Sequence, residues 1–186
     1  MAKKIVTLLG SPRKNGNSTC LASQLIKGAE ANGAVTETIY LNGLNIKPCQ
    51  GCEKCKLPSS DRCIIKDDMH FIYPKLESAD SIVLSSPVYF FNLSAQMKTF
   101  IDRCYAVAIS EDFFKGKSYA LLLTYADSDP FISGAVNVIR TFQDMCGYLG
   151  ADIAGIVYGS AEKEGDINKN TEVMNQAYQL GEKLSV

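Results

Sequence analysis

Near the start of the chain, Gly10-Ser11-Pro12-Arg13-Lys14-Asn15-Gly16-Asn17-Ser18-Thr19 concentrates three hydroxyls, two amides and two cations in one short stretch. Ahead of a helix, such a stretch also offers unpaired backbone N–H groups, and the helix dipole favours an anion there. The chemistry on offer is phosphate binding. Two familiar phosphate loops do not fit: the Gly10 to Gly16 spacing is too long for a P-loop, which would also want lysine where Asn17 stands. Pro12 replaces the second glycine of a dinucleotide fingerprint. A mononucleotide phosphate remains, set against a solvated turn that only caps a helix.

Thiols form a second concentration. Cys49, Cys52, Cys55 and Cys63 follow the spacing C-x2-C-x2-C-x7-C. Three cysteines at intervals of three wrap one face of an iron–sulfur cubane. Gly51 permits the tight turn, and Lys47, Lys54, Lys56, Arg62 and Lys66 would offset the charge of a thiolate-ligated cluster. Structural zinc sites present two separated pairs and suit this spacing less. The competing reading is a loop of reduced thiols with Cys49 and Cys52 partly buried. Cys20, Cys104 and Cys146 fall on apolar helical stripes and read as core.

Aromatic residues make the third group. Tyr89-Phe90-Phe91 follow a buried strand and cannot all face the core, so a flat apolar ring system or a second subunit would use the exposed ones. Ordinary core and dimer packing is the alternative. The one histidine, His70, stands beside Asp67 and Asp68 with no hydrolase motif around it. It reads as a surface or helix-start residue.

Elements of alternating type must position these groups. Apolar runs predict strands at Ile5–Leu9, Ser81–Ser86, Tyr119–Thr124 and Ile153–Tyr158, and a more polar strand near an edge at Val35–Leu41. Asn17 and Ser18 are placed to cap a helix with Leu21, Leu25, Ile26 and Ala29 on one face. Leu93, Met97, Phe100, Ile101 and Cys104 form a second helical stripe. A third helix spans about Ser133 to Leu149, and Val173, Ala177, Leu180 and Leu184 mark a closing one. Strands alternating with helices predict a parallel sheet covered on both faces. Asn42 to Met69 has no periodicity, and loops this long are uncommon in compact domains unless they are functional, disordered or tied down by something. The cysteines lie inside it.

With 186 residues, no repeat and no linker, the chain reads as a single domain, residues 1–186, with a Cys-rich insertion at about 42–69. A net charge of −1 gives no general attraction to nucleic acid or to anionic membrane. No apolar run reaches the ~20 residues of a membrane span, and the first strand lacks the features of a signal segment. The expectation is a cytoplasmic protein.

The loop from Gly10 to Thr19, taken with Ser86-Pro87-Val88-Tyr89-Phe90-Phe91-Asn92 and Lys98…Asp102-Arg103, resembles the NADPH-dependent FMN reductase family over nearly the whole chain. The resemblance implies a flavodoxin-like α/β three-layer sandwich with a five-stranded parallel sheet in the order 2-1-3-4-5. It implies that Ser11, Arg13, Asn17, Ser18 and Thr19 hold the FMN phosphate. Pro87, Val88, Tyr89, Phe90 and Asn92 would border the isoalloxazine ring, with Thr124, Tyr125 and Asp127 as a third contact. The cysteine spacing resembles that of iron–sulfur flavoproteins, which implies Cys49, Cys52, Cys55 and Cys63 as ligands of a [4Fe–4S] cluster. Hydride transfer to flavin needs alignment and no protein nucleophile, so no catalytic side chain is named. The expected activity passes hydride from NAD(P)H to FMN and on to a flavin, quinone or nitroaromatic acceptor. The alternatives are an electron carrier using FMN and [4Fe–4S] with a redox partner protein, and a non-catalytic redox- or nucleotide-sensing domain. Family habit implies a homodimer or a dimer of dimers.

Overall fold

A computed structural model describes residues 2–60, 62–108 and 113–186. The strands are β1 (Lys4–Leu9), β2 (Val35–Tyr40), β3 (Ser81–Tyr89), β4 (Asn92–Leu93), β5 (Ser118–Tyr125) and β6 (Asp152–Ser160). The helices are α1 (Asn17–Ala31), α2 (Met69–Ser78), α3 (Ala95–Arg103), α4 (Tyr105–Ala108), α5 (Ala135–Leu149) and α6 (Thr171–Leu184). Five strands run parallel in the order β2-β1-β3-β5-β6, which is the predicted 2-1-3-4-5 once the short β4 is set aside. β4 folds back antiparallel on the end of β3. The fold is a flavodoxin-like three-layer α/β sandwich.

Alternation along each strand divides the core in two. Val6, Leu8, Ile82, Leu84, Leu121 and Leu123 face α2, α3 and α5, together with Met97, Phe100 and Phe142. Ile5, Leu9, Val83, Ala120, Leu122 and Val157 face α1 and α6, against Leu21, Leu25, Ala177 and Leu180. Such near-continuous apolar strands are what a sheet covered on both faces requires. β2, the polar one, lies at an edge as predicted.

Two local expectations are corrected. Ser81–Ser86 is too short, because β3 runs on through Pro87, Val88 and Tyr89, with Pro87 opposite Thr124. These residues are therefore strand, not loop. Asn17 is not the cap of α1; Gly16 is, and no side chain caps this end. The Asn17 side chain instead binds the loop after β6, donating to the Lys163 carbonyl at 2.9 Å and the Ala161 carbonyl at 3.3 Å, and accepting from Ile167 N. α2 lies beyond the aperiodic stretch, and His70 is in its first turn. Among the described residues no helix is long and apolar enough to cross a membrane.

Candidate functional site

In a parallel sheet the carboxyl ends of the strands open toward one edge, and ligands bind in the crevice there. Here the loops after β1, β3, β5 and β6 enclose a cleft of about 240 Å³, lined by Ser11, Arg13, Asn17, Ser18, Pro87, Val88, Tyr89, Thr124 and Tyr125 among others. Nine of the thirteen residues implied for the cofactor thus meet in one place.

One end of the cleft suits an anion. The first amides of α1, those of Asn17, Ser18 and Thr19, have no intrahelical acceptor, and no acidic side chain occupies that turn. Ser18 is 1% exposed, and its hydroxyl has no hydrogen-bond partner. A buried unpaired hydroxyl is costly and invites a ligand oxygen. The loop before it is held in shape from within. Ser11 Oγ donates to the Arg13 carbonyl and accepts from Arg13 N, both at 3.1 Å. Tyr40 Oη donates to the Pro12 carbonyl at 2.6 Å, and Ser94 Oγ to that of Gly10 at 2.7 Å. The Arg13 side chain stays exposed at the mouth, free to reach an anion. These features fit a phosphomonoester such as that of FMN.

The other end is walled by the tip of β3 and its turn into β4. Phe90 and Phe91 adopt φ values of 46° and 66°. A two-residue hairpin turn with positive φ at both central positions favours Asn-Gly there, so two phenylalanines make a strained turn. It is held by Asn137 Nδ2 donating to the Phe91 carbonyl at 3.2 Å, and by Gly134, where a Cβ would come within 2.6 Å of Phe91 Cα. Phe90 is 95% exposed and Phe91 55%, which removes the core-packing alternative for both.

Four implied residues do not line the cleft. Thr19 Oγ1 donates to the Arg13 carbonyl, and Asn92 Oδ1 accepts from Leu93 N, so both serve the loops themselves. Phe90 projects from the turn, and Asp127 lies exposed beyond β5. The structure adds Gly16, Ala126, Ala161 and Glu162. The last two follow β6, and the position of that loop at a strand's carboxyl end was the available signal. His70 is exposed, with Nε2 at 3.1 Å from the Ile65 carbonyl, and takes no part.

A second, smaller cavity of about 30 Å³ is lined by Cys49, Cys52, Cys55 and Cys63 together. Cys49 and Cys52 are exposed, which corrects their partly buried placement. Burial pushes the Cys55 thiol up, and the nearby Cys63, Cys52 and Cys49 add to the shift. Among the described residues no three His, Cys, Asp or Glu side chains are arranged as around a bound metal ion. Four thiols facing one small cavity nevertheless form a donor set of the kind iron–sulfur clusters use. Cys104 and Cys146 pack with the core, and burial pushes both thiols up to about 12.

Comparison with known proteins identifies the family and the fold. The model of the NADPH-dependent FMN reductase family matches residues 3–151. An iron–sulfur flavoprotein of Archaeoglobus fulgidus is 31% identical over 185 residues, covering 98% of this chain and 79% of the relative. A Bacillus subtilis protein named as a candidate NAD(P)H-dependent FMN-containing oxidoreductase is 26% identical over 182 residues, 95% of this chain and 96% of its own. The structure of an NAD(P)H:quinone oxidoreductase from Methanothermobacter marburgensis superposes with a TM-score of 0.75 at 16% identity, covering 100% of this chain and 98% of that one, and so shares the fold.

Proposed function

The chain belongs to the NADPH-dependent FMN reductase family, and from that premise we propose that the 240 Å³ cleft binds FMN and takes hydride from NAD(P)H for delivery to a quinone, flavin or nitroaromatic acceptor. The observation that carries the proposal is the uncapped start of α1 at that cleft, where Ser18, one of the lining residues, has a buried hydroxyl without a partner. Bound there, FMN supplies the hydride-accepting chemistry.

The chain's own residues bind and align. Arg13, Ser18 and the first amides of α1 hold the phosphate by charge-assisted hydrogen bonds, on a loop that the Ser11 hydroxyl keeps in shape. Thr124 and Tyr125, both buried at the end of β5, close the floor. Pro87, Val88 and Tyr89 set the wall against which a flat ring stacks. Phe90, Phe91, Phe131 and Ile132 leave an exposed apolar rim beside it, suited to burial against a second copy of the chain as a homodimer.

Steady-state oxidation of NADH and NADPH by the FMN-loaded protein, with a quinone as acceptor, tests the reading. Turnover well above that of free FMN is expected. Oxidation no faster than free FMN overturns the reductase assignment.

The shared cavity of the four cysteines favours a second reading. Cys49, Cys52, Cys55 and Cys63 would hold a [4Fe–4S] centre, and the protein would relay single electrons between FMN and a redox partner. Iron and acid-labile sulfide in protein purified without oxygen support it. Their absence overturns it.

A further inference from the structure

Arg103 is the largest fully buried side chain among the described residues, at 1% exposure. It closes α3, and its guanidinium is gripped from both ends of the cysteine loop. Nη1 donates to Asp67 Oδ2 at 2.5 Å and to the Lys47 carbonyl at 2.7 Å, and Nη2 donates to Asp67 Oδ1 at 3.1 Å. Asp67 in turn accepts from Lys47 N at 2.9 Å and Met69 N at 3.1 Å. Lys47 stands just before Cys49 and Asp67 just after Cys63, so one ion pair ties the loop's two ends together and to α3.

A buried ion pair is a poor device for stability, because an apolar pair of like volume serves as well or better. Its charge and its hydrogen-bond donors are therefore what call for explanation. Arg103 lines the cavity that holds the four cysteines, and among the described residues it is the one basic side chain that does. Lys47, Lys54, Lys56, Arg62 and Lys66, to which the sequence pointed for offsetting charge, do not line it. Arg103 Nε has no hydrogen-bond partner, although it is buried. Reduction potentials of iron–sulfur centres are set by net charge and by hydrogen bonds to the sulfurs.

We propose that Arg103 is the positioning residue of this cavity: it fixes the cysteine loop and supplies the buried positive charge and free N–H that raise the reduction potential of a thiolate-ligated cluster. The inference rests on the second reading above, that the four cysteines hold such a cluster. Asp67 acts in the opposite sense, as a fixed negative charge that holds the guanidinium in place.

The test is an anaerobic redox titration of the FMN-loaded protein, with cluster and flavin potentials followed separately and iron and sulfide assayed for each variant. Arg103→Gln is expected to shift the cluster potential negative and Asp67→Asn to shift it positive, with the flavin potential unmoved. A purely structural clamp would not give opposite signs. If Arg103→Gln fails to load, a positive shift in Asp67→Asn still supports the proposal, and an unchanged or negative one overturns it. An unchanged potential in fully loaded Arg103→Gln overturns this inference alone. Wild-type protein without iron and sulfide overturns the cluster reading and this inference together.

Discussion

Replacing Ser18 by alanine should weaken FMN binding while leaving the apoprotein as stable as before, or more so. The hydroxyl is buried and unpaired at the start of a helix that nothing else caps. In the apoprotein it carries a desolvation cost of about 1–3 kcal/mol with no return. Removing it cannot lose a hydrogen bond within the chain, and the small void left by one oxygen offsets only part of the gain. In the complex the same hydroxyl donates to a phosphate oxygen, a charge-assisted bond contributing about 1.5–3 kcal/mol, or roughly 10- to 150-fold in Kd. The assay is paired: quenching of FMN fluorescence on titration with apoprotein, and urea denaturation of the apoprotein alone. Unchanged FMN affinity, or an apoprotein destabilised by more than about 1 kcal/mol, would refute the placing of the phosphate at α1.

Arg13→Ala should weaken FMN by about 1.5–3 kcal/mol in the same titration, and unchanged affinity removes Arg13 from the site. Gly181→Ala should destabilise by about 1–3 kcal/mol or more in urea, because the new Cβ would lie 1.9 Å from the Leu25 carbonyl oxygen where α6 crosses α1; a change under about 0.5 kcal/mol contradicts that crossing. Burial pushes the Asp67 carboxyl up, but the Arg103 guanidinium and the Lys47 and Met69 amides more than offset it and hold it below the ordinary value. Its contribution to stability is thus full above the unfolded value of about 3.9 and is lost as pH falls through the lower folded value. Asp67→Asn should be less stable at neutral pH by about 3–5 kcal/mol and should lose this part of the acid dependence, as read from urea midpoints across the acid range.

Much of this was legible in the sequence because strands buried on both faces announce themselves as short apolar runs. Ile5–Leu9 and Tyr119–Thr124 were placed within a residue or two of β1 and β5, and the strand order followed from the family resemblance. α2 was missed because it is short, carries Pro74 inside it and has no side-chain cap, so it shows neither a clear period nor a start signal. Asn17 was misassigned because a cap and a tether to a distant loop use the same amide, and its partner, Lys163, lies far along the chain. Lys47, Lys54, Lys56, Arg62 and Lys66 neighbour the cysteines only along the chain, whereas Arg103 reaches the cavity by the packing of α3, which no local pattern encodes.

The absorption spectrum of protein purified without oxygen and supplied with FMN tests the central claim most directly. Bound flavin bands that survive desalting in wild type and are lost or greatly reduced in Ser18→Ala/Arg13→Ala are the expected result. A protein that emerges from desalting without flavin, or a double variant that keeps it as tightly as wild type, would contradict the assignment of the cleft.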